Sequence, residues 1–374
     1  MSRSGLIEPF SVSARAIPTR LVTTTRVAAA TERCLLDGCE NDEVSAAALR
    51  AVREASADPL LLHWDSQDES LRADLAQTYG VDTGQVFLTA GAMDAIRTAF
   101  DVFGPAASSV GLLEPDWPGF AYFAERSGAQ IQTLRRPDFP HQFDVDSVAT
   151  FCASSEIDLV IVSNPCAVTG RMWHRDEVAR LLTAAPDTMF IIDEADAIYP
   201  TLSSIALIHE HPNAVFLGSL SKFLGLSGLR IGFIVTPERS RIAFANTIDR
   251  IGLASVALVA GRAALADLEY QAQTQRITTA NLAMLRAALE GTPFRIAPAS
   301  ECFACYLSAD DTIEDPFELL AAEGVDLVPG SLFGLARGGR LNLRSTAKVR
   351  TCIDTIKRIT QARHDLDAAD VAMA

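Results

Sequence analysis

One stretch, Ser219-Leu220-Ser221-Lys222-Phe223-Leu224-Gly225-Leu226-Ser227-Gly228-Leu229-Arg230, constrains this chain more than any other. It follows Ala214-Val215-Phe216-Leu217, an apolar run that reads as a buried parallel strand. A lysine just past such a strand is unusual, because an ammonium is costly to desolvate without a partner. Two hydroxyls, on Ser219 and Ser221, precede or flank the turn, and the glycines that follow let backbone turn tightly and approach a ligand. Arg230 then opens a second apolar run, Ile231-Gly232-Phe233-Ile234-Val235. Hydroxyls with a guanidinium suit a phosphate, and a half-buried lysine between them suits an aldehyde. A solvated lysine beside a turn is the competing reading of the stretch alone.

The 374 residues suffice for one large and one smaller domain, and a 49% hydrophobic share supports a substantial core. A formal charge of −15 argues against a nucleic-acid surface and against an anionic membrane surface. It leaves the substrate open, since local arginines still bind carboxylates. Of the seven cysteines, Cys302 and Cys305 form a C-x-x-C with no second pair, in an alternating apolar segment. They read as reduced core residues, and no metal site is expected. No apolar stretch is long enough to span a membrane. The N-terminal MSRSGLIEPFSVSARAIPTR lacks the continuous apolar segment of a signal peptide, so the expected location is the cytoplasm.

Four other segments end in residues suited to a ligand. Phe87 to Ile96 reads as strand, glycine turn and helix, and a helix N-terminus offers free N–H groups to an anion. Val110 to Leu113 runs into Glu114-Pro115-Asp116-Trp117, and Leu159 to Ser163 into Asn164-Pro165. Met189 to Ile192 ends in Asp193-Glu194-Ala195-Asp196, at the strand end where open α/β sheets bind ligands. Ala46–Ala55, Ser70–Tyr79, Arg175–Ala185 and Arg239–Asn246 read as helices, and Ser255–Leu285 as one long helix. From Phe294 the pattern shifts to α+β, with a strand at Phe303–Leu307, a helix at Pro316–Ala322 and a closing helix over 346–367.

In this company SLSKFLGLSGLRIGF resembles the cofactor-lysine segment of the class I/II aminotransferases, within fold type I of the pyridoxal-phosphate enzymes. The layout is most similar to the histidinol-phosphate aminotransferase branch, from about Leu36 to the C-terminus. The resemblance implies an α/β fold: a three-layer large domain whose mostly parallel sheet binds pyridoxal 5′-phosphate, and a smaller α+β domain. The expected division is an N-terminal arm at 1–42, the large domain at 43–260 and the small domain at 261–374, in a homodimer. Lys222 is then the lysine that forms a Schiff base with the cofactor. Asp193 pairs with the pyridine nitrogen, Asn164 donates to the 3′-oxygen and Trp117 stacks on the ring. Gly91, Ala92 and Met93 form the phosphate cup with Ser219, Ser221 and Arg230. Trp64 stands where an aromatic reaches the neighbouring subunit's phosphate. Gly38 and Cys39 lie on the substrate-side loop, and Arg340 matches the arginine that grips an α-carboxylate.

The chain also departs from the family pattern. Ala92 and Met93 carry no hydroxyl and serve through backbone alone, and Trp64 lacks a tyrosine's hydroxyl. Cys39 replaces an asparagine common in the branch. Asp196 stands where the family usually has tyrosine, with Tyr199 three residues on. Arg344 matches no standard role; a second acidic group or neutralisation of Asp196 are the two readings. The resulting expectation is an aminotransferase for a small L-amino acid or related amine with an oxo-acid acceptor, in amino-acid or specialised metabolism. Decarboxylation, β- or γ-elimination or replacement, and oxidation are alternatives on the same scaffold. A noncatalytic cofactor-bound regulator is more distant, because Lys222 is present and no DNA-binding helix pair accompanies it.

Overall fold

The computed structural model describes residues 33–55, 67–197, 200–248, 252–299 and 302–373. In chain order the first elements are β1 (Cys34–Leu35), α1 (Ala46–Glu54), α2 (Gln67–Tyr79), β2 (Val86–Thr89), α3 (Ala92–Phe103), β3 (Ser109–Glu114) and α4 (Gly119–Ser127). Next come β4 (Gln130–Arg135), α5 (Val145–Ser154), β5 (Leu159–Ser163), α6 (Arg175–Ala184), β6 (Met189–Asp193), β7 (Ala214–Ser219) and β8 (Gly232–Val235). The remainder is α7 (Arg241–Thr247), α8 (Ser255–Ala266), α9 (Leu268–Leu289), β9 (Phe294–Ile296), β10 (Ala304–Ala309), α10 (Pro316–Ala322), β11 (Val325–Asp326), β12 (Val328–Pro329), β13 (Gly339–Asn342) and α11 (Thr346–Met373).

Strands that are apolar on both faces must lie between two layers of helix. β5, β6 and β7 are such strands, and they occupy the middle of a seven-stranded sheet ordered β2-β8-β7-β6-β5-β3-β4. Only β8 runs antiparallel to its neighbours; the other pairings are parallel. Their side chains alternate between two cores. Phe190, Ile192 and Phe216 pack with Leu71, Val148, Leu181 and Leu258 from α2, α5, α6 and α8. Ile191, Val215 and Leu217 pack with Ile96, Phe100 and Phe123 from α3 and α4 on the other face. The result is the three-layer large unit expected of the chain.

The parallel register places Ser163 beside Asp193 and Asp193 beside Leu217. The carboxyl ends of β5, β6 and β7 therefore share one edge, and the residues just beyond them meet there. A second core joins α9, α10 and α11 to the antiparallel sheet β12-β13-β10-β9, through Leu285, Leu320, Leu341 and Ile356. Leu36 is buried in that core, so the segment after β1 packs with the C-terminal unit.

The helix expected over Ser255–Leu285 is two helices. Asp267 separates α8 from α9: its carboxylate accepts the N–H of Tyr270 at 3.1 Å and the hydroxyl of Ser45 at 2.6 Å. The N-cap competes with helix continuation, as aspartate does at a helix start. All seven cysteines are free thiols. No described helix is long and apolar enough to cross a membrane.

Candidate active site

Gly91 turns the chain from β2 into α3 with φ 84°, a left-handed conformation that an L side chain resists. A Cβ there would also overlap the guanidinium of Arg230, which lies against the helix start. Gly232 brings β8 in as closely; a Cβ on it would stand 2.5 Å from the Gly91 carbonyl carbon. Arg230 is itself left-handed, with φ 54°. Its Nη1 donates to Ser221 Oγ at 3.2 Å and to the Ser227 carbonyl at 3.1 Å, and Ser219 Oγ accepts the Ser221 N–H at 3.1 Å. Two hydroxyls, a guanidinium and the free N–H groups of the first turn of α3 thus converge. Ala92 and Met93 contribute backbone only. This donor set, shaped around a glycine, fits a phosphate.

Lys222 follows β7 at the sheet edge, with its side chain 24% exposed. Its Nζ touches Asp196 Oδ1 in an ion pair. Burial works against the charge on Lys222, but Asp196, together with Cys39 and Asp193, outweighs it and the ammonium titrates above the ordinary lysine range. Burial likewise opposes the charge on Asp196; Lys222, helped by Arg340 and Arg344, holds that carboxyl below the usual range. Asp193 is 8% exposed and accepts the Ala195 N–H at 2.9 Å. Burial pushes its carboxyl up to about 6, partly offset by that N–H and by Lys222. A buried carboxylate that costly is matched by a cationic ring N–H. Beside it, the Asn164 amide is held by Trp173, donating to its carbonyl at 3.1 Å and accepting its N–H at 2.8 Å. The Asn164 NH2 carries a second N–H beyond the one donated to Trp173.

On the facing side, Arg340 and Arg344 reach one loop residue. Arg340 Nη2 donates to Cys39 Sγ at 3.0 Å, and its Nη1 to the Ala167 carbonyl at 3.2 Å. Arg344 Nη1 donates to the Cys39 carbonyl, and its guanidinium carbon lies 3.4 Å from the centroid of the Phe303 ring. Gly38 is half-buried on the same loop.

Trp117 stands apart from this contact network. Its ring covers Gly119, meets Phe120 edge-on at 5.3 Å and walls a cavity of about 580 Å³ with Leu332 and Phe333. Trp64 and Tyr199 lie outside the described residues. Two features were not singled out from sequence. Asp116, buried, accepts the N–H of Ser163 at 2.9 Å, the N–H of Trp117 at 2.7 Å and the Ser163 hydroxyl, tying the ends of β3 and β5 together. Burial raises its carboxyl to about 7. Asn41 donates to the Lys222 carbonyl at 3.0 Å and to the Tyr270 hydroxyl at 2.7 Å, bracing the lysine turn from the substrate-side loop. For Asp116, the strand-end sequence Glu-Pro-Asp-Trp was the available signal.

A model of the family "aminotransferase class I and II" matches residues 35–356. Histidinol-phosphate aminotransferase 1 of Bordetella parapertussis is 28% identical over 264 residues, covering 68% of this chain and 72% of that protein. Histidinol-phosphate aminotransferase 2 of Ralstonia nicotianae is 27% identical over 327 residues, covering 85% and 86%. Among solved structures, the histidinol-phosphate aminotransferase of Sinorhizobium meliloti in complex with pyridoxal-5′-phosphate superposes with a TM-score of 0.79 at 18% identity, covering 96% of this chain and all of that one. L-threonine-O-3-phosphate decarboxylase from Porphyromonas gingivalis superposes with a TM-score of 0.70 at 19% identity, covering 87% and 99%. At such identities the structural likeness speaks to the fold.

Proposed function

The chain belongs to the class I and II aminotransferases, pyridoxal-phosphate-dependent enzymes, and we propose that it moves the amino group of a small L-amino acid or related amine to an oxo acid. The observation that carries this reading is the placement of the Lys222 amine at the sheet edge, with the Asp193 and Asp196 carboxylates and the Gly91–Arg230 cradle around it. When bound, pyridoxal 5′-phosphate supplies an aldehyde for amino groups and a ring that acidifies the substrate Cα–H. The residues supply the rest. Arg230, Ser219, Ser221 and the start of α3 hold the phosphate. Asp193 would keep the ring nitrogen protonated, and Asn164 would offer an N–H to the 3′-oxygen. Lys222 Nζ holds the cofactor, then takes and returns the proton at the substrate Cα. Arg340, buried and fixed by Ala167, offers a planar fork that orients a carboxylate. The working unit is a homodimer, which light scattering tests; a fully active monomer would count against it.

A second reading keeps the cofactor and changes the bond broken, to decarboxylation, elimination or oxidation. What favours it is Asp196, a carboxylate in contact with the lysine where the family usually carries a tyrosine. One experiment separates the two. Purified holoenzyme is mixed with a panel of amines, and the cofactor absorbance is followed. Accumulation of pyridoxamine 5′-phosphate, reversed by an oxo acid, supports amino transfer. Release of carbon dioxide, ammonia or peroxide with the cofactor unchanged supports the second reading.

A further inference from the structure

The charge balance on the substrate side is uneven. Lys222, Arg340 and Arg344 bring three cations to a small volume, and Asp196 is committed to Lys222. Asp37, on the loop that carries Cys39, forms no ion pair among the described residues; burial pushes its carboxyl up, and Arg340 only partly counters this. Arg340 at least gives one N–H of each terminal nitrogen to Ala167 and Cys39, and each nitrogen carries a second N–H for a ligand. Arg344 engages only Nη1, on the Cys39 carbonyl. It is 5% exposed, yet its Nε and Nη2 have no hydrogen-bond partner among the described residues. The flat stack on Phe303 satisfies the face of the guanidinium and leaves its edge donors unmet. Burial lowers its pKa to about 10, against the pull of Asp196. A buried guanidinium with unmet donors costs stability, because unpaired buried donors forfeit their hydration.

Arg344 also walls a cavity of about 230 Å³ shared with Asn41, Asp42, Glu43, Tyr270 and Thr274, where Asp42 is paired with Lys348 at 3.8 Å. Asn41 ties the wall of that cavity to the backbone of the lysine turn, since its amide donates to the Lys222 main-chain carbonyl. The Asn41 side-chain oxygen is the other atom here without a partner. The cavity therefore carries, beside Asp42 and Glu43, a cation whose Nε and Nη2 are bonded to no carboxylate among the described residues.

Building on the amino-transfer reading, we propose that Arg344 is a specificity-determining residue that binds a second acidic group on the substrate. The substrate class is then an amine carrying two acids, one held by Arg340 and the other by Arg344, the second being a carboxylate or a phosphoryl group. The long Arg344 side chain turns its two unmet donors from the Phe303 face toward the incoming anion. Cys39 suits this arrangement because it ties both arginines to one loop through its thiol and its carbonyl.

The test is equilibrium binding to the holoenzyme, with cofactor attachment at Lys222 checked first on the same sample. The probes are unreactive acids: butyrate, succinate and 3-phosphonopropionate. The expected result is that at least one diacid binds about tenfold or more tightly than butyrate, the scale of one charge-assisted hydrogen-bonded pair. Tighter binding of succinate assigns a carboxylate to the second site, and tighter binding of the phosphonate assigns a phosphoryl group. Arg344→Gln should collapse the preference, and Arg344→Lys should retain part of it. Because a buried substitution can unfold the chain, the wild-type ratio stands as an independent arm. Equal binding of all three probes to wild type, or a preference that survives Arg344→Gln, overturns the proposal. Loss of the Lys222 attachment would instead overturn the functional reading itself.

Discussion

The site has two halves, built from different materials. The phosphate cradle is made of backbone: a left-handed glycine, a helix start, and an arginine pressed against both. The substrate side is made of side-chain charge: Lys222 against Asp196, with Arg340 and Arg344 converging on Cys39. Backbone geometry admits few residue types, so the first half keeps its glycine turn and its arginine even where Ala92 and Met93 have lost the hydroxyls. Charge can be redistributed among neighbours, and it is in the second half that Asp196, Cys39 and Arg344 depart from it. The fold therefore constrains where the cofactor lies more tightly than what is done to the substrate.

The two halves break in different ways, and the largest effect lies where they join. Lys222→Ala should abolish covalent attachment of the cofactor and cut turnover by about 10³-fold or more, the range for loss of a catalytic proton carrier. Turnover with a saturating amine measures it. Gly91→Ala should follow, weakening cofactor binding about tenfold or more. The new Cβ overlaps Arg230, and the backbone at φ 84°, ψ 174° costs a non-glycine residue roughly 1–3 kcal/mol. Gly228→Ala is the control, because a Cβ there meets nothing within 4 Å. Cofactor titration of both variants should separate them; equal affinities would remove the cradle from the account.

Asp196→Asn probes the other half, with an effect of about tenfold at fixed pH. Asp196 holds the Lys222 pKa up in the cofactor-free protein, so removing its charge should lower that pKa. Cofactor attachment requires the neutral amine, so its rate profile should shift to lower pH. An unshifted profile would detach Asp196 from the lysine's chemistry.

Much of the cradle was legible in the sequence, because it rests on strand ends and glycines. Apolar runs closing in Asn164, Asp193 and Ser219 announced three parallel strands, and the register sets their ends side by side. The charge network was less legible. Whether Asp196 faces the lysine depends on a turn beyond β6, whose direction no periodicity encodes. The stack of Arg344 on Phe303 joins residues from separate segments, and Asp116 acts by bracing a strand that is distant in sequence. The long helix expected over Ser255–Leu285 divides at Asp267, where a local N-cap overrides a continuous helical pattern.

The effect furthest from the chemistry concerns stability. In the cofactor-free protein the Asp193 pKa is raised from 3.8 to about 6, so this group favours the fold most below pH 4 and loses that contribution as pH rises to 6. Asp193→Asn should therefore gain stability relative to wild type at pH 7 compared with pH 4, by on the order of 2 to 3 kcal/mol. Denaturant midpoints at the two pH values measure the difference. A gap that does not change with pH would mean that the buried carboxylate is already compensated.

The central claim is that the lysine after β7 holds the cofactor. Borohydride reduction of the cofactor-loaded protein, followed by proteolysis and peptide mass mapping, tests it most directly. The expected product carries one pyridoxyl group per chain, on Lys222, in the peptide that contains Ser221 and Phe223. A label on another residue, or none on a sample that demonstrably carries the cofactor, would contradict it.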